Sequence, residues 1–335
     1  MKKMKKYALL LMSAIIVLAL AACGSKDDSS SSDTKDKNGA TDGKTYKVGI
    51  TQIVEHPSLN EATKGFKAAL KDAGLKVKYQ TEIAQGDQSV NTTAANNLVG
   101  SGVDLIFANS TPSAQAVAAA TSDIPIVFTS VTDAVGAELV KSMEKPGGNV
   151  TGTVDTHPDA IPNTIKFFLE QLGAKKVGMV FNSGEQNSRA QVDSVKKEAK
   201  KAGITIVEAS ASTSAEVKQA TESLVGKVDA IYIITDNTVV SALESVLDVA
   251  NDKKIPVMVG ELDSVKRGGL GAYGFSYYDI GYEAGQKAVE ILKDGKKPAD
   301  IPVAYPANLK LEINKTTADK IGVDIKEDWK AEVVE

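Results

Sequence analysis

The sequence predicts an α/β protein built from two similar lobes, each with a parallel sheet. Two observations carry this prediction. From Tyr46 onwards, short apolar runs alternate with amphipathic stretches, which is typical of strand–helix–strand units. The pattern of the first half then recurs in the second half in the same order. The 335 residues are enough for two such units.

The first half alternates four predicted strands with three predicted helices. The strands cover residues 47–50, 75–83, 103–107 and 124–128, and the helices cover about 59–73, 88–101 and 112–121. Each helix returns the chain to the starting edge of the sheet, so the strands are expected to run parallel.

Five short matches relate the two halves. Val48–Ile50 matches Val177–Met179, and Ala73–Leu75 matches Ala202–Ile204, both 129 residues apart. Three more keep the same order: Leu98–Gly100 with Leu224–Gly226, Val103–Asp104 with Val228–Asp229, and Ile124–Val127 with Ile255–Met258. A general likeness among strand–helix–strand units would not preserve order and spacing. The repeat therefore predicts two similar Rossmann-like lobes.

Three chain crossings are expected to join the lobes as a multi-strand hinge. They are predicted at Gly147–Gly152, where glycines permit a turn, near Phe275–Asp279, and near Val303–Pro306. The first lobe then comprises residues 46–150 plus 277–305, and the second comprises 151–276 plus 306–335. Parallel sheets bind ligands beyond the carboxyl ends of their strands, so facing lobes would form one cleft that closes by hinge motion.

The first residues predict export. A lysine-rich start is followed by the apolar run Tyr7–Leu20, so residues 1–22 are interpreted as a signal peptide. Leu20-Ala-Ala-Cys23 resembles a bacterial lipobox, which implies a lipid on Cys23; an ordinary signal peptide is the alternative. Residues 23–45 are polar and of low complexity, so they are predicted to form a lipid anchor and flexible tether. The chain is expected on the outer face of the cell membrane.

Composition and charge exclude several classes of function. The net charge is −4 and only two basic residues are arginines, so nucleic-acid binding is not expected. Removal of the lysine-rich leader would make the charge −8, so attachment to a membrane would depend on lipid. One cysteine and two histidines argue against a metal centre. A balance rich in lysine and poor in arginine indicates a Gram-positive source.

Known catalytic motifs are missing or misplaced. Gly269–Gly274 matches G-x-G-x-x-G but does not open the first strand–helix unit, where a dinucleotide site would lie. The sequence contains no P-loop, H-E-x-x-H motif or G-x-S-x-G elbow. We therefore expect a monomer that binds a small molecule, needs no cofactor and is not an enzyme.

Residues 47–325 resemble the substrate-binding lipoproteins of ABC transporters for tryptophan and tyrosine, which have the periplasmic-binding-protein type I fold. The resemblance rests on the order and spacing of Val48–Gln52 with His56-Pro57, Ala108–Pro112, Phe128–Asp133, Gly148–Gly152 and Tyr278–Gly281. It implies capture of an aromatic or related amino acid and delivery to a membrane permease powered by an ATPase. A receptor for a sugar or nucleoside, or a sensor that signals to a membrane kinase, are the alternatives.

The first lobe offers candidates for a ligand carboxylate. Ser110 and Thr111 precede a predicted helix whose N–H groups suit an anion, although they also suit simple capping. Ser130 follows a strand end and is a third donor. Gln52, His56 and Thr129 are further polar candidates, and His56 before Pro57 is also explained by loop shape.

The second lobe and the crossings offer candidates for an ammonium group and a ring. Asp155, Asp236 and Glu261 follow strand ends or a crossing, although such acids are also common in solvated loops. The repeat aligns Glu185 and Asn187 with His56 and Ser58, so they are expected to close over the ligand. Phe275 and Tyr277 flank the second crossing, where they stack on a ligand ring or pack the hinge.

Overall fold

The computed structural model describes residues 43–335, which contain two sheets. The first sheet has strand order β2-β1-β3-β4-β5, and all its pairs are parallel. Its strands are β1 (Thr45–Gln52), β2 (Lys76–Ile83), β3 (Leu105–Asn109), β4 (Ile126–Val131) and β5 (Val150–Val154). The predicted signal peptide, Cys23 and nearly all of the predicted tether lie outside the described residues.

The second sheet repeats the order of the first. Its strands are β6 (Lys176–Phe181), β7 (Thr205–Ser210), β8 (Ala230–Ile233), β9 (Val257–Val259), β10 (Gly271–Gly274), β11 (Lys310–Asn314) and β12 (Glu332–Val334). The order is β12-β11-β10-β9-β8-β6-β7, and only the β10–β11 pair is antiparallel. Since β7-β6-β8-β9-β10 reproduces the order of the first sheet, the predicted α/β architecture with two similar, mostly parallel sheets is confirmed.

Helices cover both sheets. They are α1 (Pro57–Asp72), α2 (Gln88–Gly100), α3 (Thr111–Ala120), α4 (Ala160–Glu170), α5 (Gln186–Ala202), α6 (Val217–Glu222), α7 (Asn237–Ser241), α8 (Leu243–Asp252), α9 (Leu262–Lys266), α10 (Tyr277–Leu292) and α11 (Lys315–Ile321). None of these helices, within residues 43–335, has the length and apolar character needed to cross a membrane. We call the first sheet with α1–α3 and α10 the first lobe, and the second sheet with α4–α9 and α11 the second lobe.

The chain leaves the first sheet later than the glycine pattern predicted. The first crossing does not lie within Gly147–Gly152, because β5 pairs with β4 as far as Val154. The β-branched residues of β5 are buried, which favours a strand over a hinge. Gly152 is needed for close packing, since a Cβ there would overlap the carbonyl oxygen of Phe128. The first sheet therefore extends past the expected boundary at residue 150, and Asp155 begins the crossing.

Two further crossings complete the connection between the lobes. Phe275 and Ser276 lead from β10 of the second sheet into α10, which packs on α1 of the first lobe. Ala304 then forms a parallel bridge with Thr153 beside β5, before the chain returns to the second sheet at β11. Three segments of the chain therefore connect the two lobes.

The helices α1 and α10 pack unusually closely through glycines. A Cβ at Gly65 would overlap the carbonyl oxygen of Tyr278, and one at Gly281 would overlap that of Ala62. A Cβ at Gly285 would lie 2.7 Å from the carbonyl oxygen of Phe66. Glycine inside a helix costs about 1 kcal/mol relative to alanine, so close packing is the compensating gain. This contact fixes α10, and with it the start of the second crossing, on the first lobe.

Candidate ligand-binding cleft

A small, nearly closed cavity lies between the lobes, where the strands of both sheets end. Residues of both lobes and of two crossings line it: His56, Leu59, Ser130, Asp155, Asn187, Thr235, Asn237, Val240, Glu261 and Tyr277. A molecule held there would contact both lobes and two of the crossings.

One end of the cavity is acidic. The Tyr277 hydroxyl donates to Asp155 Oδ2 at 2.7 Å, and burial raises the pKa of Asp155. Burial also raises the pKa of Glu261, whose carboxylate accepts from the Ser264 N–H at the start of α9. The pKa of Tyr277 lies well above its usual value, mainly because the side chain is buried. The negative charges of Asp155 and Glu261 add to this effect. None of the described residues that line the cavity is a lysine or arginine, so this end favours a positively charged group.

Three buried polar atoms in the cavity wall have no hydrogen-bond partner among residues 43–335. They are His56 Nδ1, Ser130 Oγ and Asn187 Oδ1, on side chains that are at most 8% exposed. Buried polar groups are nearly always paired in folded proteins, because an unpaired one costs about 1–3 kcal/mol. Atoms of this kind around one cavity are available to hydrogen-bond with a polar ligand or with water.

His56 enters the cavity from the start of α1. It has extended backbone geometry at the N-cap position, and Pro57 follows at the first helical residue, where its missing N–H costs nothing. Burial lowers the pKa of His56 to about 3, and the charge of Arg267 adds to this effect. The imidazole is therefore neutral at physiological pH, with one donor and one acceptor nitrogen.

Ser130 reaches the cavity through an irregular point in β4. Its φ of 55° lies in the left-handed region, which is uncommon for a residue other than glycine, and the register with β5 shifts between Phe128 and Val131. Strained backbone of this kind concentrates at functional sites.

The candidates Gln52 and Thr129 are used inside the first lobe instead of lining the cavity. Gln52 donates to the Val54 carbonyl at 2.8 Å and to Asn60 Oδ1 at 2.9 Å, which orders the loop before α1. The hydroxyl of Thr129 in β4 forms a hydrogen bond with that of Thr153 in β5 at 2.8 Å. Their hydrogen bonds are satisfied without a ligand.

Ser110 and Thr111 also make internal contacts. Ser110 Oγ accepts from the Ser113 N–H at 3.4 Å, so Ser110 caps α3, as the alternative interpretation expected. Thr111 Oγ1 accepts from the Thr132 N–H at 3.3 Å. Both residues are 1% exposed and neither lines the cavity. The start of α3 therefore packs against residues next to the cleft and does not line the cavity.

Glu185 and Asp236 lie under the second-lobe face of the cleft. Glu185 accepts from Asn237 Nδ2 at 2.6 Å, from Thr238 Oγ1 at 2.9 Å and from Asn187 Nδ2 at 3.2 Å. It borders the wider mouth of the cleft, whereas Asp236 is fully buried and caps α7 through the Val239 N–H. Both carboxylates hold cavity-lining segments in place and do not line the cavity themselves.

The stability of the protein should depend on pH through Asp236. Burial, and then the nearby Glu185 carboxylate, raise the pKa of Asp236 from 3.8 to about 7. Between these values the folded state keeps a proton that the unfolded state has lost, so stability falls as the pH rises. We expect a decline on the order of 2–4 kcal/mol from this group.

Urea unfolding of the wild type and Asp236→Asn across this pH range measures the effect. The variant loses some hydrogen bonds at every pH, but its stability should decline less with rising pH than that of the wild type. Parallel pH profiles for the two proteins would contradict the assignment to Asp236.

Phe275 lies outside the cavity and supports it. Its ring stacks on that of Tyr277, with centroids 5.9 Å apart, and faces a groove on the hinge side. Sequence reasoning missed Leu59 and Val240, which line the cavity with apolar atoms. Their helical spacing is the same as that of core residues, so no sequence signal separated them from the core.

A chain of hydrogen bonds connects the lobes behind the cavity. Gln191 Nε2 of the second lobe donates to Thr132 Oγ1 of the first lobe at 3.2 Å and to Thr235 Oγ1 at 2.7 Å. The Thr132 hydroxyl in turn donates to Asp155 Oδ1 at 3.1 Å. The lobes are therefore in direct contact, in a closed arrangement.

Two lobes joined by three crossings, with a closed polar cavity between them, define a solute-binding protein. Residues 47–334 match the family model for ABC transporter substrate binding proteins, and the chain belongs to this family. The family binds solutes outside the cytoplasm and is not enzymatic. The chain is 45% identical, over 95% of its length and 92% of the relative's, to a tyrosine-binding protein of Clostridioides difficile strain R20291.

Two solved structures give a conformational comparison. An ABC domain of Streptococcus pneumonia in complex with L-Trp is 34% identical, covers 87% of this chain and 100% of its own, and has a TM-score of 0.83. The ligand-free, open structure of a Clostridium difficile substrate-binding protein with adhesive properties is 39% identical, covers 87% and 99%, and has a TM-score of 0.65. The present structure superimposes better on the L-Trp complex than on the open, ligand-free structure, although the open structure is more similar in sequence.

Proposed function

We propose that this protein captures an aromatic amino acid in the interlobe cavity and delivers it to an ABC permease. The observation that carries the proposal is the cavity itself, with two buried carboxylates and three unpartnered polar atoms in its wall. The names of two relatives, one tyrosine-binding and one in complex with L-Trp, support the same class of ligand.

The two ends of an amino acid find complementary groups in the cavity. Asp155 and Glu261 supply negative charge for the ammonium group, and the cavity lining contains no competing cation. The unpartnered hydroxyl of Ser130 is a donor for the carboxylate. Leu59 and Val240 provide apolar contact for the side chain. A sugar lacks the cation that would offset two buried carboxylates, so the charge of the site favours an amino acid.

Export and anchoring are part of the same proposal. Residues 1–22 act as a signal peptide, Cys23 carries the lipid, and residues 23–45 tether the lobes to the outer face of a Gram-positive cell membrane. The closed, liganded form then docks as a monomer on the permease, and the ATPase drives uptake. Closure follows ligand binding because the ligand contacts both lobes and shifts the population towards the closed form.

Calorimetry with a panel of ligands tests the proposal. We expect heat of binding from L-tyrosine or L-tryptophan, and little from the D-isomers. Tyramine, which lacks the carboxylate, and the N-acetyl amino acid, which lacks the ammonium group, should bind at least about 10-fold more weakly. Binding of a sugar or nucleoside without binding of any amino acid would overturn the proposal.

A further inference from the structure

His56 presents to the cavity an atom that nothing in the described chain satisfies. The side chain is 8% exposed and Nδ1 has no partner. The neutral ring carries one donor and one acceptor nitrogen, and Asn237 of the opposite lobe is the polar side chain that acts on its pKa. In the tautomer with the hydrogen on Nε2, Nδ1 is an acceptor. A bound ligand that brings a donor to this atom would complete the bonding of the imidazole.

The surroundings of His56 suit a ligand side chain. Leu59 follows within the first turn of α1, and Val240 lies one turn from Asn237 along α7. Both contribute apolar surface to the cavity beside the imidazole. This end therefore combines an apolar wall with the unpaired Nδ1 of His56.

The charged end of a ligand is expected elsewhere in the cavity. Asp155 accepts from the Tyr277 hydroxyl at the second crossing, at 2.7 Å. Among the described residues, His56 makes no hydrogen bond to either of them. If Asp155 binds the ammonium group, the ring of the ligand can reach His56.

We propose that His56 is a specificity-determining residue, whose Nδ1 accepts a hydrogen bond from a donor on the ring of the bound amino acid. The phenol of tyrosine and the indole of tryptophan carry such a donor, and phenylalanine does not. This inference rests on the proposed function and narrows it to aromatic amino acids with a ring donor. Sites that hydrogen-bond a ligand reject analogues that leave their buried polar groups unpaired.

A pair of ligands matched in shape gives the sharpest measurement. 4-Fluoro-L-phenylalanine is close to tyrosine in shape but has no ring donor. We expect the tighter of L-tyrosine and L-tryptophan to bind the wild type at least about 10-fold more strongly than L-phenylalanine or its 4-fluoro analogue. The variant His56→Leu should bring these affinities to within about threefold of each other.

His157 provides the control. It is the chain's second histidine, lies at the hinge-side groove, and its Nδ1 accepts from the Asp159 N–H at 3.2 Å. His157→Leu should keep the wild-type ratio of affinities. If His56→Leu does not fold, the comparison of ligands on the wild type decides the question by itself.

The outcomes separate this inference from the function on which it rests. Equal binding of tyrosine, tryptophan and both phenylalanines by the wild type would overturn the role of His56 and leave amino-acid capture intact. An unchanged ratio in a folded His56→Leu variant would do the same. Absence of binding by every amino acid would overturn both proposals.

Discussion

Replacing Gly281 with alanine is expected to lower the free energy of unfolding by about 3 kcal/mol or more. The added methyl group would overlap the carbonyl oxygen of Ala62 on α1, so the two helices would have to separate. Overpacking a core typically costs about 1–3 kcal/mol, and backbone yields less readily than a side chain. The gain of about 1 kcal/mol in helix propensity offsets only part of this cost.

Gly100 is the matched control for this substitution. It is also a helical glycine, the last residue of α2, but a Cβ there would meet no atom within 4 Å. Gly100→Ala should therefore leave stability unchanged or raise it by up to about 1 kcal/mol. Urea unfolding of both variants measures the difference. Equal stability of the two variants would show that the α1–α10 contact adjusts without cost.

Asp155→Asn is expected to weaken ligand binding by about 100-fold or more. The carboxylate faces the cavity and supplies negative charge for the ligand ammonium, and breaking a buried charge pair costs about 3–5 kcal/mol. The amide also replaces one acceptor with a donor next to the hydroxyls of Tyr277 and Thr132. Calorimetry with the ligand of the wild type measures the loss.

Asp133→Asn controls for the removal of an acid near the same hinge. Asp133 is exposed, and its carboxylate accepts from the Gly136 N–H outside the cavity. Its substitution should change affinity less than about twofold. Because burial raises the pKa of Asp155, wild-type affinity should also fall as the pH is lowered, since protonation removes the charge. An affinity independent of both Asp155 and pH would contradict the assignment.

The sequence alone predicted most of the fold. Strand–helix alternation and the repeat at 129 residues predicted parallel strands and two similar sheets, because both patterns reflect burial along the whole chain. The first crossing was the exception. Gly152 was interpreted as a flexible point, whereas it accommodates Phe128 across the β4–β5 pair. Whether a glycine serves flexibility or close approach depends on a neighbour distant in sequence.

The cleft was only partly predictable. His56, Ser130 and Asn187 were found because polar residues beyond strand ends meet at one edge of a parallel sheet. The same argument also selected Gln52, Thr129 and Asp236, whose hydrogen bonds are satisfied within the protein. Whether such a side chain faces a ligand or its own fold depends on rotamer and register, which residue spacing does not specify.

The pairing of α1 with α10 determines when the first lobe can be completed during synthesis. Its five strands are made by residue 154, but the helix that covers Gly65 and Phe66 follows more than 100 residues later, after most of the second lobe. The hydrogen bond from the Tyr46 hydroxyl to the Leu292 carbonyl likewise forms only after Leu292 has been made, 246 residues later. The lobe that emerges first from the ribosome is therefore finished late, and a chain truncated after β10 would leave the face of α1 that carries Gly65 and Phe66 uncovered.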